Sequence, residues 1–168
     1  GEFKDVHVME LPNSQATKEG FQLWKSEIIK LKGILENKFE VEITEEDIKK
    51  AIKLKNQERQ ALKNMYEIGK LNPPAMSGMD ILKVLYGSTF KFDKNDTIKE
   101  VNELADRVRK EYEEGRRLDP KPRIVVTGCP IGGVTEKVVK AIEDNGAYVV
   151  AFENCMGAKA IDRLVDES

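Results

Sequence analysis

The sequence predicts an α/β chain in which a helical region is followed by a Rossmann-like parallel β-α-β unit. Three observations predict it. Between residues 21 and 115, apolar residues recur at helical spacing in four segments. A linker at 116–122 then contains two prolines and three basic residues. After it, two short β-branched runs alternate with helical segments, as in a parallel sheet whose strands are joined by helices.

The first predicted element is a short strand at Val6–Met9, which Pro12 ends. His7, the one histidine of the chain, lies in this predicted strand and is expected to be structural. A lone strand before four helices is unusual for the start of a domain. We therefore assign residues 1–12 to the end of a preceding α/β lobe and residues 13–115 to the helical region.

The first predicted helix has an apolar stripe, and the second has capping residues at both ends. Phe21, Trp24 and Ile28 begin an apolar stripe on the first helix, so their side chains are expected in a core. Thr44 is the predicted N-cap of the second helix, because acidic residues follow it in the first turn. Gly69 is its predicted C-cap.

Two further helices complete the helical region. The third is expected to begin after Ser77 as N-cap and to end near Gly87. The fourth is expected to begin at Asp96 or Thr97 and to end before Gly115. The linker at 116–122 follows, and residues 123–168 are assigned to the start of a second α/β lobe that carries the cysteine loops.

The second lobe begins with a β-α-β unit. Ile124–Val126 and Tyr148–Phe152 predict strands that are buried on both faces, because every residue is apolar. Val134–Glu143 predicts the helix between them, and Ala158–Val165 predicts the next helix.

Two or three strands are few for an open sheet, which usually has about four to six. We therefore expect the chain to be an internal fragment of a two-lobed protein, with an α/β domain before Val6 and further strands after Ser168. A small intact α+β domain is the alternative.

Composition excludes some function classes. The 28 basic and 30 acidic residues leave a formal net charge of −2, so nucleic acid is not an expected partner. Apolar runs fall well below the roughly 20 residues that a membrane helix needs. Because so charged a chain has only two cysteines, reduced thiols and a cytoplasmic location are expected.

Both cysteines, Cys129 and Cys155, follow a predicted strand directly. Functional groups of parallel sheets collect at this end of the strands. Neighbouring strands lie about 4.8 Å apart, so both sulfurs would be within reach of one inorganic cluster. Gly128, Gly132 and Gly133 expose N–H groups that would stabilise anionic sulfur. A [4Fe–4S] cluster usually takes about four thiolates, so other ligands would lie elsewhere.

Other functions remain open from the residues alone. Either cysteine could be a small buried apolar side chain. A two-thiol redox switch is possible, although 26 positions separate the cysteines. The chain could also be a nucleotide- or phosphate-binding α/β module without a metal, with the turn Gly128–Gly133 as its cradle. That turn matches neither the dinucleotide fingerprint nor a P-loop, although Glu153 lies near a ribose-ligand position.

Two loop motifs, Thr127–Gly133 and Glu153–Lys159, resemble those of the 2-hydroxyacyl-CoA dehydratase and benzoyl-CoA reductase family. Val8–Pro12 is similar to the strand-then-proline junction of that family. Ile43–Asp47 and Lys55–Arg59 are similar to its central helical region. The resemblance covers essentially the whole chain but only the middle of a family chain. A cysteine in both loops is most similar to the double-cubane branch, since classical dehydratase subunits often lack the first cysteine.

The resemblance implies an iron–sulfur-cluster-carrying component of an ATP-dependent, low-potential reductase or dehydratase system. Its substrate would be a 2-hydroxyacyl-CoA or a related small molecule. An ATP-hydrolysing iron–sulfur activator protein would be its partner and supply one electron. Cys129 and Cys155 would bind the cofactor, a [4Fe–4S] or double-cubane cluster, and no catalytic residue is named. A homo- or heterodimer working anaerobically is implied, and the fragment alone would be inactive and lack the cluster.

Overall fold

A computed structural model describes residues 6–129, 132–155 and 157–167. The described helices are α1 Lys18–Phe39, α2 Glu45–Tyr66, α3 Gly78–Ser88, α4 Lys94–Glu113, α5 Thr135–Asp144 and α6 Ala158–Ile161, with 3₁₀ turns at Glu67–Lys70 and Gly132–Val134. The described strands are β1 Arg123–Thr127 and β2 Tyr148–Glu153. Among the helices described, none combines the length and apolar character that a membrane span needs. By its contacts, the chain divides into two compact units, residues 1–49 and 50–168.

The first unit contains α1, whose N-cap is Thr17. The Thr17 hydroxyl accepts a hydrogen bond from the Gly20 N–H at 3.1 Å. The predicted stripe is helical, but Phe21, Trp24 and Ile28 are exposed, so the expectation that they form a core is wrong. Their unit holds one complete helix among its described residues, and one helix cannot bury its own apolar face.

The predicted strand at Val6–Met9 is not formed. Val6 and Val8 are 71% and 76% exposed, and in the described part of the chain β1 and β2 pair only with each other. A strand needs a neighbour that satisfies its backbone N–H and C=O groups, and residues 6–9 have none there. His7 is therefore exposed on irregular backbone. The assignment of residues 1–12 to a preceding lobe stays a prediction.

Helix starts follow the capping residues. The hydroxyls of Thr44 and Ser77 each accept the N–H three residues later at 3.1 Å, so both predicted caps are confirmed. Helix α4 begins at Lys94, before the predicted Asp96 or Thr97. The cause is a cap one residue earlier: the Asp93 carboxylate accepts two backbone N–H bonds, at 2.8 and 3.1 Å.

Gly69 has a different role from the predicted C-cap. It lies inside the 3₁₀ turn that continues from α2, where a Cβ atom would come within 2.2 Å of the Val150 carbonyl oxygen. Glycine therefore lets the end of α2 approach β2 closely. The Glu143 carboxylate accepts the Gly78 N–H at 2.6 Å, which ties the start of α3 to the end of α5.

The two strands are parallel, which confirms the β-α-β unit. Helix α5 joins them, as predicted. The backbone from residue 116 to residue 122 has no regular structure, and its assignment as a linker between domains stays a prediction. Strand β2 is buried on both faces, since Val149, Val150 and Phe152 are all buried. Strand β1 is not, because Val125 is 55% exposed. The described elements leave one face of β1 uncovered, so the prediction for this strand is wrong.

Helix α6 is a single turn and stops before the predicted end at Val165. The Asn56 side chain accepts the Val165 N–H at 2.9 Å and donates to the Val165 carbonyl at 2.7 Å. This pair of bonds holds residue 165 in a non-helical conformation and fixes the segment against α2. The core of the second unit lies between α2, α3, α4, α5 and β2. Its largest fully buried apolar side chains are Met65, Ile68, Ile81, Val139, Val149 and Phe152.

Candidate functional site

Cys129 and Cys155 lie at equivalent positions beyond the sheet. Thr127 pairs with Glu153 at the last rung of the parallel ladder, and each cysteine follows its strand by two residues. Both thiols are free and exposed. The expectation that either is a small buried apolar residue does not fit this exposure. The structure therefore brings the two sequence-predicted thiols to one end of one sheet.

The turn that carries Cys155 is fixed by the backbone before and after it. The Phe152 N–H donates to the Tyr66 hydroxyl at 2.7 Å, which ties the end of β2 to α2. A Cβ at Gly157 would lie 2.1 Å from the Phe152 carbonyl oxygen, so only glycine fits there. The buried Asn154 offers its carbonyl to the Gly157 N–H at 3.1 Å. These contacts hold the thiol on a rigid support.

Polar side chains link the two strand ends. The Thr127 hydroxyl donates to the Glu153 carboxylate, and Lys159 contacts the same carboxylate at 3.2 Å. These two partners lower the pKa of Glu153, the hydroxyl having the larger effect. Glu153 thus stays ionised at neutral pH and is used to join the strand ends, so it is not a free ribose ligand.

The loop that carries Cys129 begins with Gly128, whose φ of 106° favours glycine. Pro130 and Ile131 lie outside the described residues. Beyond them, Gly132 and Gly133 line a cavity of about 160 Å³ next to α3. Small-molecule sites usually measure about 300–1,000 Å³, so the cavity that the described residues form is smaller than that range.

A larger cavity of about 290 Å³ borders Cys155. One part of its wall is charged, from Lys55, Glu58 and Arg59 of α2 and Lys94 at the start of α4. Another part is apolar and includes Leu62, Leu85 and Ile161. Because α2 runs past the end of β2, its middle turns bring these charges to the cysteine loop.

Glu58 is the most enclosed charge in this wall, with a side chain only 3% exposed. It forms ion pairs with Lys55 and, at 3.1 Å, with Lys94. Burial acts to raise the pKa of Glu58, but the hydrogen bonds from both lysines outweigh it and lower the pKa. Arg59 donates to the Asn56 side chain at 3.2 Å, and no carboxylate within the described residues pairs with it.

Sequence reasoning missed these groups as site residues. Lys55, Glu58 and Arg59 are three and four positions apart, which places them on one face of a helix. That spacing was visible, but it is also typical of a solvated helix surface. Nothing in the sequence indicated that this face meets the second cysteine loop, nor that Tyr66 supports it.

The whole chain, residues 1–168, matches the family model described as 2-hydroxyglutaryl-CoA dehydratase, D-component. The chain belongs to this dehydratase family. It is also 56% identical over 167 residues to "Putative dehydratase subunit YjiM" of Escherichia coli (strain K12). That alignment covers 99% of the chain and 44% of the relative, so the chain spans less than half the length of the curated relative it matches.

Membership confirms the resemblance seen in the two cysteine loops and assigns the chain to an enzyme family of dehydratase type. The α/β arrangement with a partial sheet is likewise as predicted. In the described residues, no group of three or more histidine, cysteine, aspartate or glutamate side chains could hold a metal ion.

Proposed function

We propose that the chain is part of the cluster-carrying component of an ATP-dependent, low-potential dehydratase or reductase, in which Cys129 and Cys155 are two of the cluster ligands. The observation that carries the proposal is the equivalent placement of two free, exposed thiols beyond the last paired rung of a parallel sheet. Membership of a dehydratase family supports the reaction class. The substrate proposed is a 2-hydroxyacyl-CoA or a related small molecule, and the proposed partner is an ATP-hydrolysing iron–sulfur activator.

The residues present fit an iron–sulfur group in part. Cysteine thiolates are the usual ligands of such clusters, and about four are needed. The two thiols supply half of that set, so the other ligands would come from outside this chain. A bound cluster supplies one-electron reduction at low potential, which the twenty amino acids do not provide.

The chain's own residues have positioning roles in this proposal. Tyr66 and Gly157 fix the turn before and after Cys155, and the Thr127–Glu153 contact holds the two strand ends together. A rigid support of this kind fixes the separation of two metal ligands before the metal arrives. It lowers the ordering cost of binding.

The test measures iron on the complete protein, purified without oxygen. Iron, acid-labile sulfide and the absorption near about 400 nm, where iron–sulfur proteins absorb, are compared for the wild type, Cys129→Ser and Cys155→Ser. Each serine variant should lose iron, because serine replaces a thiolate ligand. Thr127→Ser is the matched control: it introduces serine at the same strand end, keeps the hydroxyl, and should retain iron.

Full iron content in both cysteine variants would reject the assignment. Loss of iron in Thr127→Ser to the same extent would show that any change at this end of the sheet disturbs the cluster, and the ligand assignment would then be without support. Circular dichroism of each variant separates ligand loss from unfolding.

A further inference from the structure

We infer that the 290 Å³ cavity beside Cys155 binds a small organic anion, a carboxylate on a short apolar body, with Arg59 and Lys94 as its charge partners. The cavity shares Cys155 with the thiol pair but not Cys129, and the inference does not depend on a cluster being present. Cys155 lies in the wall of the cavity, so a ligand there would sit next to the thiol.

Charge in the cavity wall is unbalanced. Lys55, Arg59 and Lys94 carry three positive charges, and Glu58 is the one acid that lines the cavity among the described residues. Glu58 pairs with both lysines, and Arg59 has only the neutral side chain of Asn56 as a partner. An excess of positive charge around a cavity favours an anion. Arginine presents a planar fork of donors that matches the two oxygens of a carboxylate.

Glu58 itself has a structural part in this site. Its buried carboxylate holds the Lys94 ammonium at 3.1 Å at the edge of the cavity, although Lys94 extends from another helix. Lys94 is partly buried, so its charge is less screened than that of a surface lysine. The acid thus orients a cation for the ligand and leaves the net charge of the wall positive.

The apolar part of the wall selects an organic anion over an inorganic one. Leu62, Leu85 and Ile161 are buried residues that also line the cavity. A volume of about 290 Å³ lies at the lower limit of small-molecule sites, which run from about 300 Å³. A short aliphatic acid fits both the volume and the two-part wall, whereas a whole nucleotide does not.

The experiment reads occupancy at Cys155 itself. The complete protein, prepared free of metal, is treated with iodoacetamide, which is uncharged, and mass spectrometry follows the alkylation of Cys129 and Cys155 separately. Butyrate at about ten times its Kd should slow alkylation of Cys155 about tenfold, since only the free site reacts. Cys129 does not line the cavity and should react at an unchanged rate. Butyramide, which has the same shape without the charge, should not protect.

Two variants test the residues named. Arg59→Gln should raise the Kd for butyrate about tenfold, the value expected for the loss of one charge-assisted hydrogen bond. Lys94→Gln should have a similar effect and serves as the second test if Arg59→Gln fails to fold by circular dichroism. Lys53→Gln is the matched control, because Lys53 is exposed on the same helix and does not line the cavity.

The inference is overturned if butyrate does not protect Cys155, if it protects Cys129 equally, or if Lys53→Gln weakens protection as much as Arg59→Gln. Inorganic phosphate that protects as well as butyrate would overturn the organic part of the assignment. Iron binding is measured separately on the complete protein. Rejection of the iron–sulfur proposal would therefore not affect the anion-binding result, and rejection of the anion site would not affect the iron–sulfur proposal.

Discussion

Replacing Tyr66 with phenylalanine removes one oxygen atom and tests how the Cys155 turn is supported. The Tyr66 hydroxyl accepts the Phe152 N–H at 2.7 Å, and Phe152 is fully buried. Burial raises the pKa of Tyr66, so the hydroxyl is neutral and the bond persists across the neutral pH range. In Tyr66→Phe the buried N–H has no partner, and an unsatisfied buried donor costs about 1–3 kcal/mol.

The loss should be visible in thermal unfolding. For a chain of this size, a loss of about 1 kcal/mol in unfolding free energy lowers Tm by roughly 2–4 °C. A loss of about 2 kcal/mol therefore predicts a fall in Tm of about 4–8 °C. Hydrogen exchange of the Phe152 amide should accelerate as well, because its acceptor is gone. Tyr86→Phe is the control: Tyr86 is 51% exposed, and no described residue bonds its hydroxyl.

A fall in Tm below about 1 °C for Tyr66→Phe, within the range of ordinary surface substitutions, would refute the reasoning. So would an equal fall for Tyr86→Phe, since the effect would then come from the loss of a hydroxyl in general. Unchanged exchange at Phe152 would show that another group accepts its N–H.

Three further changes have defined outcomes. Gly157→Ala places a methyl group 2.1 Å from the Phe152 carbonyl oxygen and should cost about 1–3 kcal/mol in urea unfolding, whereas Gly87→Ala, in open space within α3, should be neutral or slightly stabilising. Met65→Ala empties a fully buried position and should cost about 2–5 kcal/mol in the same assay. Glu58 has a lowered pKa, so its ionised form stabilises the fold above the ordinary value of about 4.3, and this contribution is lost as pH falls through the lower folded value. The difference in unfolding free energy between wild type and Glu58→Gln should thus be constant near neutral pH and shrink below about pH 4.

Local signals in the sequence predicted most of the helices. Thr44 and Ser77 cap the helices that they were expected to cap. An N-cap side chain accepts a backbone N–H only two or three residues later, so the signal is contained in the local sequence. The start of α4 was misplaced because Asp93, Asp96 and Thr97 are all good caps, and local pattern does not choose among them. The end of α6 depends on Asn56, which is 109 positions from Val165 and outside any local pattern.

Burial was harder to predict than element type. The apolar runs at Val6–Met9, on α1 and in β1 all predicted buried surfaces, yet Val6, Phe21 and Val125 are exposed. An apolar pattern indicates that burying one face of a helix or strand would stabilise the fold. The face is buried only where a second helix or strand packs against it. Strand β2 has that cover from α3, α5 and the 3₁₀ turn Glu67–Lys70, and its predicted burial is confirmed.

The equivalent placement of the two cysteines depends on one irregularity in the sheet that no sequence pattern revealed. At the start of the ladder, Arg123 pairs with Tyr148, a separation of 25 positions, and at its end Thr127 pairs with Glu153, a separation of 26. The register shifts between Ile124 and Val125. The cysteines are also 26 positions apart, so each follows the last paired residue of its strand by two positions. Without the shift, Thr127 would face Phe152 and the two cysteines would follow their paired strand ends by unequal numbers of residues. The sequence could place both thiols after strands; only the pairing of the strands brings them to equivalent positions.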